Sequence, residues 1–131
     1  MLIVDSTIYI DWFRRRVDPR PILEPWIKAR ALAICGIIRA EVIRGVIHPG
    51  QKTKISALFD LLEDVTTDST LWHEVAELAW QLDRQGIRLP LTDIAIAACS
   101  LRVGARLITA DEHFSKIPGL STGRELPCLA Y

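Results

Sequence analysis

Four things are missing from this chain, and each removes a class of protein. No HExxH and no CxxC occurs, and His48, His73 and His113 stand alone, so a zinc site is not expected. No GxGxxG or Walker loop follows an apolar run, which excludes a nucleotide-binding Rossmann or P-loop domain. The longest uninterrupted apolar stretch, Ala31 to Ile38, falls far short of the roughly 20 residues a spanning helix needs. No basic region precedes the first apolar residues, so a signal peptide is not expected, and the protein reads as cytoplasmic with no membrane partner. Charge of one sign is also lacking: 16 basic and 16 acidic residues cancel, so any nucleic acid must be held by a local patch rather than a global field. The 3 cysteines form an odd set, two of them (Cys35 and Cys99) inside apolar runs, which fits reduced, buried thiols and no disulfide framework.

What is present is a chain of 131 residues, half of them hydrophobic, enough for one domain over residues 1–131 with its own core. Apolar runs alternate with helical periodicity. Leu2 to Asp5 is a short strand, with Ser6 or Thr7 capping a helix that carries Ile8, Ile10, Trp12 and Phe13. Pro19 and Pro21 are expected to break the chain before a helix over Ile22 to Ala29. A buried strand over Leu32 to Cys35 and a helix over Ile37 to Val46 follow, the latter stopping before Pro49-Gly50. Apolar residues at three-four spacing predict helices over Lys52 to Glu63 and Leu71 to Gln85, separated by a weak strand over Val65 to Thr67. Thr92 is expected to cap a helix over Asp93 to Arg102, and Arg106 to Thr109 is the last strand. Strands separated by helices point to an α/β fold with parallel βαβ units.

Against that pattern, Asp5, Glu41, Asp93 and Asp111 stand where a carboxylate has no evident structural role. Asp5 and Asp111 follow the C-terminal ends of two short strands, the edge where open α/β sheets bind ligands. Glu41 and Asp93 lie among apolar neighbours, where an anion is costly unless something neutralises it. A divalent cation would do so. Taken singly, each acid has an ordinary explanation as a cap, a turn or a partner of a nearby arginine; together they favour a metal site. A hard, oxygen-only donor set suits Mg²⁺ or Mn²⁺.

The segments Leu2-Ile3-Val4-Asp5-Ser6-Thr7, Arg39 to Gly45, Asp93 to Ala98 and Leu107 to Phe114 resemble the four signature blocks of PIN-domain ribonucleases, and most nearly the VapC-like toxins of type II toxin–antitoxin pairs. The resemblance covers essentially the whole chain. It implies a three-layer α/β/α sandwich around a central parallel sheet, with Asp5, Glu41, Asp93 and Asp111 gathered around Mg²⁺ or Mn²⁺. It also implies an RNA substrate and a cognate antitoxin, VapB-like, with the helical region of Trp12, Phe13 and Trp26 forming part of the groove that takes it. Where the family often has a hydroxyl residue before the second acid, this chain has Gly36-Ile37-Ile38-Arg39.

On this reading Asp5 and Asp93 are the principal ligands, Asp111 binds directly or through water, and Glu41 either supports the ion from behind its ligands or binds a second one, placed to orient the attacking water. Ser6 and Thr109 are expected to support Asp5 and Asp111 by hydrogen bonds. Arg14, Arg15, Arg39 and Arg44 are the candidate RNA contacts. Apolar residues left over once one core is filled suggest a homodimer. Other classes remain to be weighed: a noncatalytic interaction module, for which loss of one acid would be the sign, and a phosphoryl-transfer domain with an acidic Mg²⁺ site. A phosphatase of the haloacid-dehalogenase type wants a second Asp at the position of Thr7, and a receiver wants paired acids near the first strand; neither pattern is present.

Overall fold

The computed structural model describes residues 1–128, and in it five parallel strands form one sheet in the order β3-β2-β1-β4-β5. The strands are β1 (Leu2–Val4), β2 (Leu32–Cys35), β3 (Glu63–Val65), β4 (Arg106–Ile108) and β5 (Thr122–Gly123). Six helices connect them: α1 (Ser6–Arg14), α2 (Pro19–Lys28), α3 (Gly36–Gly45), α4 (Pro49–Phe59), α5 (Ser69–Arg84) and α6 (Leu91–Arg102), with a 3₁₀ turn at Glu112–Lys116. The architecture is the three-layer α/β/α sandwich. β1 and β2 are buried along their whole length, as central parallel strands must be with both faces covered. α6 is buried from Ile94 through Ser100 with no polar side, and Ser100 satisfies its hydroxyl by donating to the Ile96 carbonyl at 3.0 Å.

Topology decides where a site can form. The chain lays β2 and β3 outward on one side of β1, then returns to place β4 and β5 on the other. The reversal makes the C-terminal ends of β1 and β4 a topological switch point, where the connecting segments diverge and leave a crevice. Asp5 sits on the last rung there, its N–H donating to the Ile108 carbonyl at 2.8 Å, and the Thr109 N–H donates to the Gly123 carbonyl at 2.8 Å.

Several boundaries differ from expectation, each for a local reason. Pro19 and Pro21 do not break the chain; they open α2, where a missing N–H costs nothing, and the Asp18 side chain caps that helix through the Arg20 N–H at 3.0 Å. Pro49-Gly50 likewise begins α4, which ends at Phe59 and leaves Glu63–Val65 free to pair with β2. α5 starts at Ser69 because Asp68 accepts from the Leu71 N–H at 2.9 Å. The N-caps of α1 and α6 are Asp5 and Pro90 rather than Ser6, Thr7 or Thr92. The two-residue β5 carries no sequence signal of its own. Cys35 and Cys99 are buried, while Cys128 is exposed. No helix among the described residues is long and apolar enough to cross a membrane.

Candidate metal centre

Each of the four acids is placed by a different element. Asp5 caps α1 by backbone position only: its side chain makes no cap bond and turns to two hydroxyls instead. Thr7 Oγ1 donates to Asp5 Oδ2 at 2.9 Å and Thr109 Oγ1 donates to the same oxygen at 2.8 Å. Each hydroxyl has one hydrogen and spends it there, so the 3.4 Å approach of the two hydroxyls is a consequence of the shared acceptor. Their lone pairs take two backbone donors, the Ala110 N–H on Thr7 at 3.2 Å and the Asp111 N–H on Thr109 at 3.0 Å. This clamp ties the β1–α1 junction to the end of β4. Oδ2 of Asp5 is thus occupied, while Oδ1 accepts no side-chain or backbone hydrogen bond among the described residues and, since no buried polar side-chain atom is left without a partner, it touches solvent.

Glu41 projects from the middle of α3 and Asp93 from the first turn of α6, where the helix dipole favours an anion. Burial is the first cause raising the carboxyl pKa of both. For Glu41, repulsion by Asp5 and Asp93 adds to it, partly offset by the Ser6 hydroxyl and by Arg44. For Asp93, repulsion by Asp111 and Asp5 adds, offset by His113. Asp5 and Asp93 thus act on Glu41, and Asp5 and Asp111 act on Asp93. Asp111 caps the 3₁₀ turn, its Oδ1 accepting the His113 N–H at 2.9 Å. One ligating atom from each of Asp93, Asp111 and His113 falls within 4.8 Å of the other two, while Asp5 and Glu41 lie outside that tight group.

The supporting hydroxyls are distributed differently from expectation. Ser6 reaches Glu41, with Oγ donating to Oε1 at 3.4 Å, rather than Asp5. Thr109 holds Asp5 by its proton and Asp111 only through the backbone. Thr7 is the residue that sequence reasoning missed, and its only signal is a second hydroxyl directly after Asp5-Ser6.

The arginines divide. Arg39 turns to α4, donating to Asp60 at 2.8 Å and lying over the Phe59 ring at 5.9 Å, so it does not face Glu41. Arg15 pairs with Asp11 at 3.0 Å. Arg14 ends α1, roughly 12 Å of helix from Ser6. Arg44 alone of the four acts on the site, through its effect on Glu41. A cleft of about 290 Å³ continues from Thr109 and Asp111 past Ser115 and Thr122 to Arg124. Arg124 pairs with Glu112 at 2.6 Å, and both are largely exposed, so this contact yields readily to a competing anion. Trp12 belongs to the core, edge-on to Tyr9 at 5.6 Å, and Phe13 and Trp26 pack half-buried against it.

The model of the PIN domain family matches residues 2–120. Among curated proteins, VapC ribonuclease Mb1587 of Mycobacterium bovis and ribonuclease VapC11 of Mycobacterium tuberculosis are each 25% identical over 125 residues, covering 89% of this chain and 91% of the relative. Among solved structures, the chain superposes on VapBC2 of Rickettsia felis bound to a promoter DNA fragment with a TM-score of 0.76 at 23% identity, covering 93% of this chain and 96% of that one. DNA-bound VapBC of Salmonella typhimurium gives a TM-score of 0.77 at 20% identity, covering 94% and 98%.

Proposed function

This chain belongs to the PIN domain family, and from that membership we propose that it is a divalent-metal-dependent endoribonuclease, the cytoplasmic toxin of a toxin–antitoxin pair. What supports the reading is that Asp93 and Asp111 offer oxygens within 4.8 Å of each other, that Asp5 and Asp93 act on Glu41 and Asp111 and Asp5 act on Asp93, and that none of the four is paired with an arginine or lysine among the described residues. Two carboxylates about 4 Å apart repel by roughly 4 kcal/mol at an effective dielectric near 20. A cluster left without a cation is costly, and the donor set is of hard oxygens, which fits Mg²⁺ or Mn²⁺. Relatives named as VapC ribonucleases, and structural neighbours that are VapBC complexes, support both the nuclease and the partner protein.

In this reading Asp5 and Asp93 hold the ion, Asp111 joins them directly or through water, and the Thr7–Thr109 clamp fixes which oxygen of Asp5 faces it. Bound there, the ion supplies positive charge to the phosphodiester and lowers the pKa of the attacking water. Glu41 orients that water and accepts its proton, a role for which a carboxyl raised by burial is better suited than an exposed one. Because water attacks rather than a ribose 2′-hydroxyl, the products carry a 5′-phosphate and a 3′-hydroxyl. Arg44, and Arg124 once released from Glu112, take flanking phosphates, giving the local patch that a chain of zero net charge needs. The antitoxin inhibits by covering the acidic crevice. The test is RNA cleavage in Mg²⁺ or Mn²⁺ by protein purified free of any partner. Asp93→Asn keeps the shape of the side chain, so it should melt as a folded protein and lose activity by orders of magnitude. Undiminished cleavage overturns the assignment.

A further inference from the structure

Resting on the reading of the acids as the catalytic centre, we propose that the cleft beside them seats one unpaired nucleotide of the substrate and tells RNA from DNA. Arg124 takes its phosphate, and the Glu112 carboxylate accepts a hydrogen bond from its ribose 2′-hydroxyl. The cleft, of about 290 Å³, is lined by Thr109 and Asp111 at one end and by Glu112 and Arg124 beyond them, so whatever fills it adjoins the acidic centre. Its size is at the small end of ligand sites, about 300–1,000 Å³, which gives room for one nucleotide and none for a duplex.

The lining decides how a nucleotide would lie. An RNA unit presents a phosphate anion and a 2′-hydroxyl that can donate as well as accept, and DNA lacks the second. Arg124 is the only cation among the lining residues, while Asp111 and Glu112 are carboxylates. The phosphate therefore goes to Arg124, and Glu112, which when ionised only accepts, goes to the donor that the sugar offers. Dinucleotide folds divide the same work in the same way: an acidic side chain takes a ribose 2′-hydroxyl and an arginine takes a phosphate.

The competing explanation is an ordinary surface ion pair. Arg124 Nη2 lies 2.6 Å from Glu112 Oε1, and the two side chains are 65% and 81% exposed, a kind of pair that adds little to stability. That one contact leaves Glu112 Oε2 and the remaining guanidinium hydrogens without a partner among the described residues. The backbone beneath both side chains is anchored. Ser115 Oγ donates to the Glu112 carbonyl at 2.7 Å and Phe114 is buried, while the Gly123 carbonyl, one residue before Arg124, accepts the Thr109 N–H at 2.8 Å. Two side chains free to part, on fixed mounts along a cleft that takes in Asp111, suit a substrate seat better than a structural tie.

The experiment uses the whole chain and a short single-stranded RNA that wild type cuts in Mn²⁺ at one mapped position, with a set of strands in which one 2′-hydroxyl at a time is replaced by hydrogen. One position beside the cut should lower kcat/KM by about 10- to 100-fold, as loss of a hydrogen bond to a charged group does. Glu112→Ala should erase the penalty at that position. Arg124→Gln should raise KM for every strand and keep the penalty. Both side chains are exposed, so these variants should melt like wild type. Binding to Asp93→Asn reads the same contrast without cleavage: the intact RNA should be held more tightly than the strand lacking that hydroxyl, and adding Glu112→Ala should level the two. Equal cleavage of every strand by wild type, or a penalty that Glu112→Ala leaves in place, overturns the proposal while the metal reading stands. Should loss of one hydroxyl abolish cleavage in both proteins, with cyclic 2′,3′-phosphate ends on the products of intact RNA, that hydroxyl is the nucleophile and attack by water falls as well. If wild type cuts no RNA and Asp93→Asn binds all strands alike, both readings fall together.

Discussion

Thr109→Val removes one hydroxyl from the clamp while keeping the branched shape, and its cost can be worked from the contacts it loses. The hydroxyl donates to a buried carboxylate at 2.8 Å and accepts the Asp111 N–H at 3.0 Å. A hydrogen bond to a charged group contributes about 1.5–3 kcal/mol. Thr7 still donates to the same oxygen, which places the loss toward the lower half, about 2 kcal/mol. An unfolding entropy of about 2.1 cal/mol/K per residue over 131 residues is about 0.28 kcal/mol/K, so the melting temperature should fall by about 7 °C. Calorimetric melts in chelator measure it, and a double-mutant cycle with Asp5→Asn tests the cause. If the hydroxyl acts through the Asp5 charge, the two substitutions are strongly non-additive, with a coupling on the order of 1 kcal/mol. An unchanged melting temperature, or strictly additive effects, would refute the clamp as the element that fixes Asp5.

Other outcomes follow from the same geometry. Burial and repulsion raise the Glu41 and Asp93 carboxyls, so between their unfolded and folded pKa values the native state binds more protons than the unfolded chain. Stability from these two groups is therefore present below the ordinary carboxylate range and lost as pH rises through their raised values. In chelator, the melting temperature of wild type relative to Asp93→Asn should decline over that rise, and a flat difference contradicts it. Mn²⁺ at ~100 times its dissociation constant should add about 2.7 kcal/mol, or about 10 °C for a chain of 131 residues. Asp5→Asn should shrink that increment, and an identical response in both proteins removes Asp5 from the ligand set. Trp72, Trp80, Leu101 and Val103 remain exposed after the core is filled, so we expect a homodimer in sedimentation, which a concentration-independent monomer mass would disprove.

The acids stand out in the sequence only as a set, since each one singly has an ordinary explanation as a cap, a turn or a partner of an arginine. Asp5 and Asp111 follow apolar strands, and Glu41 and Asp93 stand among aliphatic neighbours. The parallel sheet is legible from alternation alone. What the sequence hides is anything set by which strand lands beside which. Thr7 matters only because β4 settles next to β1 and brings Thr109 to the same oxygen, a meeting of residues 102 apart in sequence. Ser6 points across to Glu41, a residue 35 positions away, and not to its neighbour Asp5, whose Oδ2 is held by Thr7 and Thr109. Arg39 is drawn off by Asp60 just past the end of α4, although in sequence it stands two residues from Glu41. Pro19, Pro21 and Pro49 read as breaks because proline is as suited to a loop as to a helix's first turn; the Asp18 cap marks the start of α2, while His48 before Pro49 makes no cap bond.

Occupation of the crevice by a divalent ion is what the whole functional reading requires. Anomalous diffraction from a crystal soaked in Mn²⁺ should place a strong peak at the C-terminal ends of β1 and β4, bounded by the carboxylates of Asp5, Asp93 and Asp111. The peak should vanish from crystals of Asp93→Asn soaked in the same way. A peak elsewhere on the molecule, or none in a wild-type crystal whose crevice is open to solvent, would contradict the reading of these four acids as a metal centre.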